Sequence, residues 1–384
     1  MGKIQKIAVF TSIRSEYGVM IPLLKLLNQN FNLDLLVGGA HLLEEHGNTL
    51  TEIENDGFTI KAKFPFLHPE SEPSFLTRSM GTLLTQMGDY FHANRPDILI
   101  VVGDRFELLP VVNAALVLNI PIAHISGGDV TEGAIDNQVR HAISKMAHIH
   151  FPGTEVSRNN LLKMGEEDWR IYNTGEPGID CILSITPIGK DELYKDLELD
   201  VKQELVIATF HPETITNEIN TPFLNKLFDQ LLLELPTHQF LVTASNFDLG
   251  GEEINQAMIT ISQQHKNVNF VKSLGQKRYY SVLKYADFML GNSSSGIIEA
   301  QSFMLPVINM GDRQKGRERN VNTLDVENDI SKIIQAIHSI KDENFKEKIK
   351  KSSNLYGEGK CSEKIVEVLL KIDTSKLLSK KSTF

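Results

Sequence analysis

The sequence has few cysteines, no long apolar run and no clustered excess of basic residues. Two cysteines, Cys181 and Cys361, are too few for a disulfide framework or a thiolate metal site, so we expect a reduced, cytoplasmic protein. No apolar run approaches the roughly 20 residues that span a bilayer, and no signal-peptide cleavage site follows the first apolar run. The net charge of −10 argues against nucleic acid or an acidic membrane as a partner, because phosphate backbones are bound by clustered lysine and arginine.

The one basic cluster is the C-terminal tail, KIDTSKLLSKKSTF, which we expect to be a solvated and partly frayed end. The G-x-G-x-x-G fingerprint is also missing after the first apolar strand, so no dinucleotide cofactor is predicted there. An anionic small molecule remains compatible with the charge, provided that local cations and helix N-termini surround it.

What the sequence does contain is an alternation of short apolar runs with stretches of helical periodicity. Strands are predicted at 6–11, 33–39, 97–103, 119–125, 204–212, 239–245, 268–271, 287–292 and 305–311. Helices are predicted at 17–30, 73–95, 221–235, 276–286 and 362–372. This order is typical of α/β proteins with parallel, doubly wound sheets.

A chain of 384 residues exceeds what one hydrophobic core supports, so two domains are expected. Glycines and a proline in NTGEPGIDCI (173–182) predict the hinge. We therefore predict a Rossmann-like domain at 1–175 and a second at 176–361, facing a central cleft, and leave open whether 362–384 returns to the first. In doubly wound sheets ligands bind beyond the carboxyl ends of the strands, where the polar motifs of this sequence lie.

Two motifs follow predicted strands near the N-terminus. TSIRSEYG (11–18) precedes a helix predicted to begin near Val19, and Arg14 either contacts a phosphate or sugar at that helix end or pairs with Glu16. VVGDRFE (101–107) places Asp104 either as an acid at the site or as a helix cap, with Arg105 and Glu107 expected at the surface.

The stretch HISGGDVTEGAIDNQVRH (124–141) has an unusual density of acid around two glycines. Asp129, Glu132 and Asp136 are candidate site residues, although solvated loop acids and an intrahelical pair of Asp136 with Arg140 are alternatives. His124 and His141 lie nearby, but their spacing matches no zinc pattern and no metal is predicted.

In the second half, His211 ends a strand in FHPET (210–214), as a structural or a functional histidine. GNSSSGIIEA (291–300) follows another strand, and its Gly-Asn pair, which includes Asn292, and its serines precede a helix predicted near Gly296. Such a segment is typical of a phosphate cradle, with Glu299 able to reach ribose hydroxyls, although Ser293, Ser294 or Ser295 would also serve as an ordinary helix cap. NMGDRQKGRER (309–319) then adds positive charge through three arginines, Arg313, Arg317 and Arg319.

Together, TSIRSEYG, VGDR, HISGGD with DNQVRHAISKM, FHPET, GNSSSGIIEA and GDRQKGR resemble the hydrolysing UDP-N-acetylglucosamine 2-epimerases of sialic acid biosynthesis. The resemblance implies a GT-B fold and elimination of the nucleoside diphosphate across C1–C2, followed by hydration of the 2-acetamidoglucal to free N-acetylmannosamine. It implies a nucleotide-sugar substrate, a homodimer or homotetramer, and no redox cofactor or obligatory metal.

The resemblance also implies roles for individual residues. Asp104 and Asp136 match catalytic acids of the family, and His211 matches a histidine near the diphosphate. The residues implied on the nucleotide side are Arg14, Arg105, Asn292, Ser293, Ser294, Glu299 and Arg313. Many members carry a catalytic glutamate where this chain has Ser126, and we expect Asp129, with Glu132 second, to take its role.

Three other functions are compatible with these motifs. A non-hydrolysing 2-epimerase would keep its product linked to the nucleotide, and a GT-B glycosyltransferase would need an acceptor but fewer acids. A nucleotide-sugar sensor without activity is suggested by Ser126. The motifs do not fix the sugar, so a 4-acetamido-4,6-dideoxy substrate and GDP in place of UDP remain open.

Overall fold

The computed structural model describes residues 2–43, 49–67, 74–131, 135–212, 219–245 and 250–383, which form two compact units. Unit 1 comprises Met1–Asp129, Asp136–Cys181 and Gly357–Phe384, and unit 2 comprises Val130–Ile135 and Ile182–Tyr356. Each unit is built on a six-stranded parallel sheet with helices between its strands. The predicted α/β, doubly wound architecture is therefore confirmed.

The sheet of unit 1 has the strand order β3-β2-β1-β4-β5-β6. Its strands are β1 (Lys6–Thr11), β2 (Asn32–Gly38), β3 (Ile60–Phe64), β4 (Ile98–Val102), β5 (Ile122–Ile125) and β6 (Ile149–Phe151). Its helices are α1 (Arg14–Asn30), α2 (Thr49–Asn55), α3 (Phe75–Ala93), α4 (Leu108–Val117), α5 (Asp136–Met146), α6 (Glu155–Lys163) and α7 (Pro177–Ser184), which ends across the unit boundary. All five residues of β4 are buried, as expected for a central parallel strand with helices on both faces.

The sheet of unit 2 has the strand order β12-β11-β10-β7-β8-β9. Its strands are β7 (Glu204–Thr209), β8 (His238–Thr243), β9 (Val268–Val271), β10 (Phe288–Gly291), β11 (Val307–Met310) and β12 (Thr323–Val326). Its helices are α8 (Lys190–Asp196), α9 (Thr221–Glu234), α10 (Gly251–Gln264), α11 (Gly275–Tyr285), α12 (Ser294–Ile298), α13 (Ile330–Ile340) and α14 (Glu343–Lys350). Among the residues that the structure describes, no helix combines the length and apolar character needed to cross a membrane.

The last helix, α15 (Cys361–Lys371), belongs to unit 1 and packs against α1. Its first two N–H groups, those of Cys361 and Ser362, donate to the Asp180 carboxylate at 2.9 and 2.6 Å. A carboxylate at this position satisfies donors that have no partner inside the helix and complements the helix dipole. Asp180 therefore caps α15 from a distant part of the chain and anchors it to unit 1.

Both cysteines are buried free thiols that bond to main-chain oxygens. Pro22 lies inside α1 and has no N–H to donate to the Gly18 carbonyl four residues earlier. The Cys181 thiol lies 3.1 Å from that oxygen and donates to it. A sulfur donor thus occupies the gap in the hydrogen-bond ladder that the proline creates.

The C-terminal tail is not the frayed end that its composition predicts. The buried Arg170 guanidinium donates to the carbonyls of Leu377 and Ser379 at 2.9 and 2.7 Å. Lys380 reaches the buried Glu166 carboxylate at 2.6 Å. The prediction was wrong because a basic tail looks solvated in sequence, whereas here two buried charges inside unit 1 bind it.

Candidate functional site

The carboxyl ends of β4, β5 and β6 lie side by side in unit 1. Ile125, the last residue of β5, pairs with Val102 of β4 and Phe151 of β6. Residues that follow these strands therefore share one edge of the sheet, where ligands bind in doubly wound folds. Four carboxylates belong to this region, and we call them the acidic edge: Asp104, Asp129, Asp136 and Glu176.

Asp104 forms an ion pair with Arg140, which is only 1% exposed. The same guanidinium donates to the main-chain oxygen of Asp129 at 3.1 Å, so it joins the loops after β4 and β5. The helix that follows Asp104 has Glu107 as its N-cap residue, which excludes the alternative of Asp104 as that cap. Arg140 was expected only as an intrahelical partner of Asp136, because sequence spacing does not reveal a contact across loops.

Two predicted acids of the 124–141 stretch, Asp129 and Asp136, lie within the described residues, and their surroundings differ. Asp129 is 5% exposed, and its carboxylate accepts a hydrogen bond from the Ser157 hydroxyl in the first turn of α6. Asp136 is partly exposed and is the first residue of α5, where a negative charge complements the helix dipole. Glu132 lies outside the described residues.

Of the two histidines near these acids, His124 is held by buried hydrogen bonds. His124 is fully buried between the Gly103 carbonyl, 2.7 Å from Nε2, and the Ser144 hydroxyl, 3.0 Å from Nδ1. Since a carbonyl only accepts, Nε2 carries the proton, and burial lowers the pKa of His124 to about 3. Burial and then Arg140 also lower the pKa of His141. Within the described part of the chain, no three His, Cys, Asp or Glu side chains are grouped to hold a metal ion.

Glu176 was not predicted as a site residue, yet it contacts the loop after β5. The Ser126 hydroxyl donates to Glu176 Oε2 at 2.6 Å, and Glu176 is 6% exposed. Ser126 has a φ of 61°, in the left-handed region that favours glycine. The signal available in the sequence was a glutamate between Gly175 and Pro177, but those neighbours suggested only a hinge.

Two further carboxylates, Glu52 and Glu16, contact residues at the start of α1 and just before it. The predicted helix start near Val19 and the alternative that Arg14 pairs with Glu16 were wrong. Arg14 opens α1 and pairs with Glu52 at 2.8 Å, while the Glu16 carboxylate accepts from the N–H and hydroxyl of Ser12, both at 3.0 Å. Burial, and then the nearby charge of Glu107, raise the pKa of Glu16 to about 7.

Arg105 and Glu107, which were expected at the surface, form an ion pair at 3.1 Å in which the glutamate side chain is 3% exposed. Neither residue is free to point into solvent as an unpaired charge.

In unit 2, the ends of β7 and β10 are locked together by one buried amide. Asn292 accepts from the His211 N–H at 2.7 Å and donates to the His211 carbonyl at 2.9 Å. Gly291 makes the approach feasible, because it has a φ of 129° and any Cβ there would collide with the main chain of Thr209. The His211 main chain is thereby fixed just beyond the end of β7, and its ring Nδ1 lies 3.4 Å from the Ser245 hydroxyl.

The serine-rich segment after β10 begins a short helix two residues earlier than predicted. Ser293 is the N-cap of α12, and its hydroxyl accepts from the Ser295 N–H at 3.4 Å. Ordinary capping, one of the two alternatives for these serines, is thus present, and Ser294 is the first helical residue. Glu299 is 9% exposed and accepts from Tyr280 at 3.0 Å and Ser295 at 2.5 Å, and burial raises its pKa although these two bonds oppose the shift.

The loop after β11 brings positive charge close to Asn292, at the end of β10. Arg313 Nη1 lies 3.3 Å from the Asn292 carbonyl, and Gln314 donates to the same oxygen at 3.0 Å. Arg319 instead pairs with Asp325 at 2.9 Å, and Arg317 donates to Gln314 at 3.1 Å. Of the three predicted arginines, Arg313 is therefore the one that the structure ties to Asn292.

Comparison with known proteins identifies the family. The family model described as UDP-N-acetylglucosamine 2-epimerase matches residues 25–370. The chain is 36% identical over 346 residues to GDP/UDP-N,N'-diacetylbacillosamine 2-epimerase (hydrolyzing) of Campylobacter jejuni, covering 89% of both. It is also 36% identical over 381 residues to the UDP-N,N'-diacetylbacillosamine 2-epimerase (hydrolyzing) of Legionella pneumophila, covering 98% of this chain and 99% of that one.

Solved structures agree on the fold. UDP-GlcNAc 2-epimerase from Neisseria meningitidis, bound to UDP-GlcNAc, matches with a TM-score of 0.82 at 21% identity, over 96% of this chain and 100% of that one. The fold is therefore of the predicted GT-B type. With the family model spanning most of the sequence, the chain belongs to the UDP-N-acetylglucosamine 2-epimerase family.

Proposed function

We propose that this protein is a hydrolysing 2-epimerase of a nucleotide-linked 2-acetamido sugar. The reaction eliminates the nucleoside diphosphate across C1–C2 and then hydrates the unsaturated sugar, releasing a free 2-epimer. The observation that carries the proposal is the acidic edge of unit 1, in which Asp104 is paired with a buried arginine. Several carboxylates suit this chemistry, because one proton must leave C2 and another must return to its opposite face.

In this proposal Asp104 and Asp136 perform the proton transfers at C2. Arg140 places a fixed positive charge against the Asp104 carboxylate and holds it relative to the loop of Asp129. A base held by a buried side chain keeps its geometry through the reaction, which is worth much of the catalytic effect. Asp136, at the start of α5, is partly exposed and free of the burial that restrains Asp129.

Unit 2 residues would bind the diphosphate. Ser293 and Ser294 offer hydroxyls and main-chain N–H groups at the start of α12, and Arg313 supplies a guanidinium. Donors and cations aimed at the departing phosphate stabilise the charge that develops on it. The lock between Asn292 and His211 would keep this set of donors rigid. We also propose Arg14, Arg105 and Glu299 as contacts to the nucleotide. Each of them already bonds to a protein side chain, which it would release or share when the nucleotide binds.

For the sugar, we propose UDP-N,N'-diacetylbacillosamine ahead of UDP-N-acetylglucosamine. Two relatives that are 36% identical over most of this chain are named for the diacetamido sugar. Its products would be UDP and a free 2,4-diacetamido-2,4,6-trideoxy sugar of the manno configuration. The name of the Campylobacter relative includes GDP, so the GDP-linked sugar belongs in the test.

The test is to incubate the purified protein in D₂O with each of the three nucleotide sugars and follow products by NMR. We expect free 2-epimerised sugar with deuterium at C2, together with nucleoside diphosphate, and the highest kcat/KM with the diacetamido sugar. A product that stays linked to the nucleotide would support a non-hydrolysing epimerase instead. Nucleotide release that requires an added acceptor would support a glycosyltransferase.

A further inference from the structure

Ser126 has a backbone conformation that serine rarely adopts. Its φ of 61° lies in the left-handed region, where a side chain is strained and glycine is not. It directly follows β5, and its N–H still pairs with the Phe151 carbonyl of β6 at 3.0 Å. Two glycines come next in the chain, so a glycine at 126 would fit the turn more easily. Backbone strain of this kind clusters at functional sites, and here the strained residue carries a hydroxyl.

The hydroxyl is needed for a bond to a buried carboxylate. Ser126 donates to Glu176 Oε2 at 2.6 Å, a short distance typical of a hydrogen bond to a charged acceptor. Glu176 immediately precedes α7, where serine, threonine, aspartate and asparagine are the residues that usually cap a helix. Its longer side chain instead reaches the loop after β5, which a capping role does not require.

The surrounding chain leaves room for this carboxylate. Gly153, two residues after β6, lies directly beneath it, and a Cβ at that position would collide with the Glu176 side chain. Glu176 is buried, whereas Ser126 is partly exposed. Ser126 is therefore the member of the pair that solvent reaches more readily.

Asp129 is less suited to the same role. Its carboxylate accepts from the Ser157 hydroxyl in α6, and that hydroxyl also lies 3.0 Å from the Thr154 side chain that caps the helix. Asp129 is thus part of the start of α6. Glu176 is the carboxylate that the structure connects to the residue at the end of β5.

We propose that Ser126 and Glu176 form a proton-relay pair that activates the water of the hydration step. This inference rests on the proposed function, because that step exists only in a hydrolysing epimerase. The water oxygen bonds to C1 of the unsaturated sugar, its proton moves to Ser126 Oγ, and the Ser126 proton moves to Glu176 Oε2. C2 takes a proton from a separate acid of the acidic edge, and Glu176 later releases its proton to solvent. Ser126 contacts the water, and Glu176 acts through Ser126.

The experiment compares the full-length wild type with Glu176→Gln and Ser126→Gly. Each is given the nucleotide sugar, to measure release of the nucleoside diphosphate, and separately the 2-acetamidoglucal with UDP, to measure hydration alone. We expect both variants to hydrate the glucal at least tenfold more slowly and to accumulate it from the nucleotide sugar. The acidic limb of the hydration pH profile should disappear in Glu176→Gln. Glu155→Gln, at an exposed glutamate, is the matched control.

Two results would overturn the pair while leaving the proposed function intact. One is wild-type hydration in both variants, and the other is an equal loss of elimination and hydration without accumulated glucal. A wild type that releases no nucleoside diphosphate from any of the nucleotide sugars would instead overturn the proposed function, and the pair with it.

Discussion

The two units share one architecture and differ in the chemistry at the ends of their strands. Both sheets have six parallel strands in a doubly wound order. In unit 1, carboxylates lie beyond the strand ends: Asp104, Asp129 and Glu176, which contacts Ser126. In unit 2, the groups beyond the strand ends are the Asn292 amide, serine hydroxyls, the His211 imidazole and the Arg313 guanidinium. The topology determines where a side chain lies, and the residues just beyond each strand determine what it can do.

This difference separates two tasks that the proposed reaction needs. Carboxylates accept and donate protons, whereas amide, hydroxyl and guanidinium donors bind an anion without titrating near neutral pH. Glu16, in unit 1, has a pKa raised to about 7 by burial and then by Glu107, while in unit 2 Glu299 is occupied by Tyr280 and Ser295. Substitutions of the acidic edge in unit 1 should therefore affect turnover, and substitutions of the anion donors in unit 2 should affect binding.

The largest effect is expected for Asp104→Asn. An amide is nearly the same size but cannot take a proton, so kcat should fall by about 10²–10⁴-fold, the usual contribution of a general base. Affinity for UDP, measured by calorimetry, should change less than threefold, because the change lies in unit 1.

The variant also removes a charged partner of the buried Arg140 guanidinium, so its melting temperature has to be measured and assays run well below it. Asp168→Asn is the matched control, since that side chain is 71% exposed. A kcat above one tenth of wild type in Asp104→Asn would exclude Asp104 as the base and remove the main contrast between the units.

The second effect is expected for Arg313→Ala in unit 2. Loss of a charged hydrogen bond to phosphate removes about 1.5–3 kcal/mol, so the Kd for UDP should rise by about tenfold to a hundredfold. Turnover at saturating substrate should stay within a few-fold of wild type. Lys315→Ala, at a side chain 58% exposed, controls for the loss of one positive charge. Equal losses of affinity in both variants would mean that only net charge matters there.

The sequence was most informative about the layout of the sheets. Apolar runs such as that of β4 are buried on both faces and cannot be mistaken for loops, so the central strands were predicted within a few residues. The strands that were missed, β3, β12 and β6, all lie at sheet edges. β3 alternates in burial, and β12 and β6 have only four and three residues, which is too little pattern to detect.

The site was less predictable because its contacts join distant parts of the chain. The positions of Asp104 and of the acids in 124–141, just after predicted strands, were enough to predict them as site residues. For Arg140 the sequence suggested only the local partner Asp136. Glu176 lies 50 residues from Ser126, and no spacing rule connects them. Local patterns identify residue types at strand ends, while the pairs that tune them depend on tertiary contacts.

The smallest effect is expected for Lys380→Met, which tests whether buried charge in unit 1 always serves chemistry. Lys380 binds Glu166 at 2.6 Å, and His150 and Lys145 bind the same carboxylate at 3.0 and 2.7 Å. Removing one of three partners should lower the free energy of unfolding by about 1–2 kcal/mol, measured by urea titration, and leave kcat unchanged. Lys381→Met is the matched control, because that residue is exposed and its hydrogen bond to Glu167 comes from the main-chain N–H.

The pH dependence gives a second readout for this cluster. Burial alone would raise the pKa of Glu166, but the hydrogen bonds from His150, Lys145 and Lys380 outweigh it and lower the pKa from 4.5 to about 2. The unfolded chain therefore binds the proton first as pH falls from about 4.5 to about 2, and stability is lost in that window. Lys380→Met should make this loss shallower, because the native carboxylate is then easier to protonate. An unchanged slope together with reduced turnover would place Lys380 with the functional charges of unit 1 instead of the structural ones.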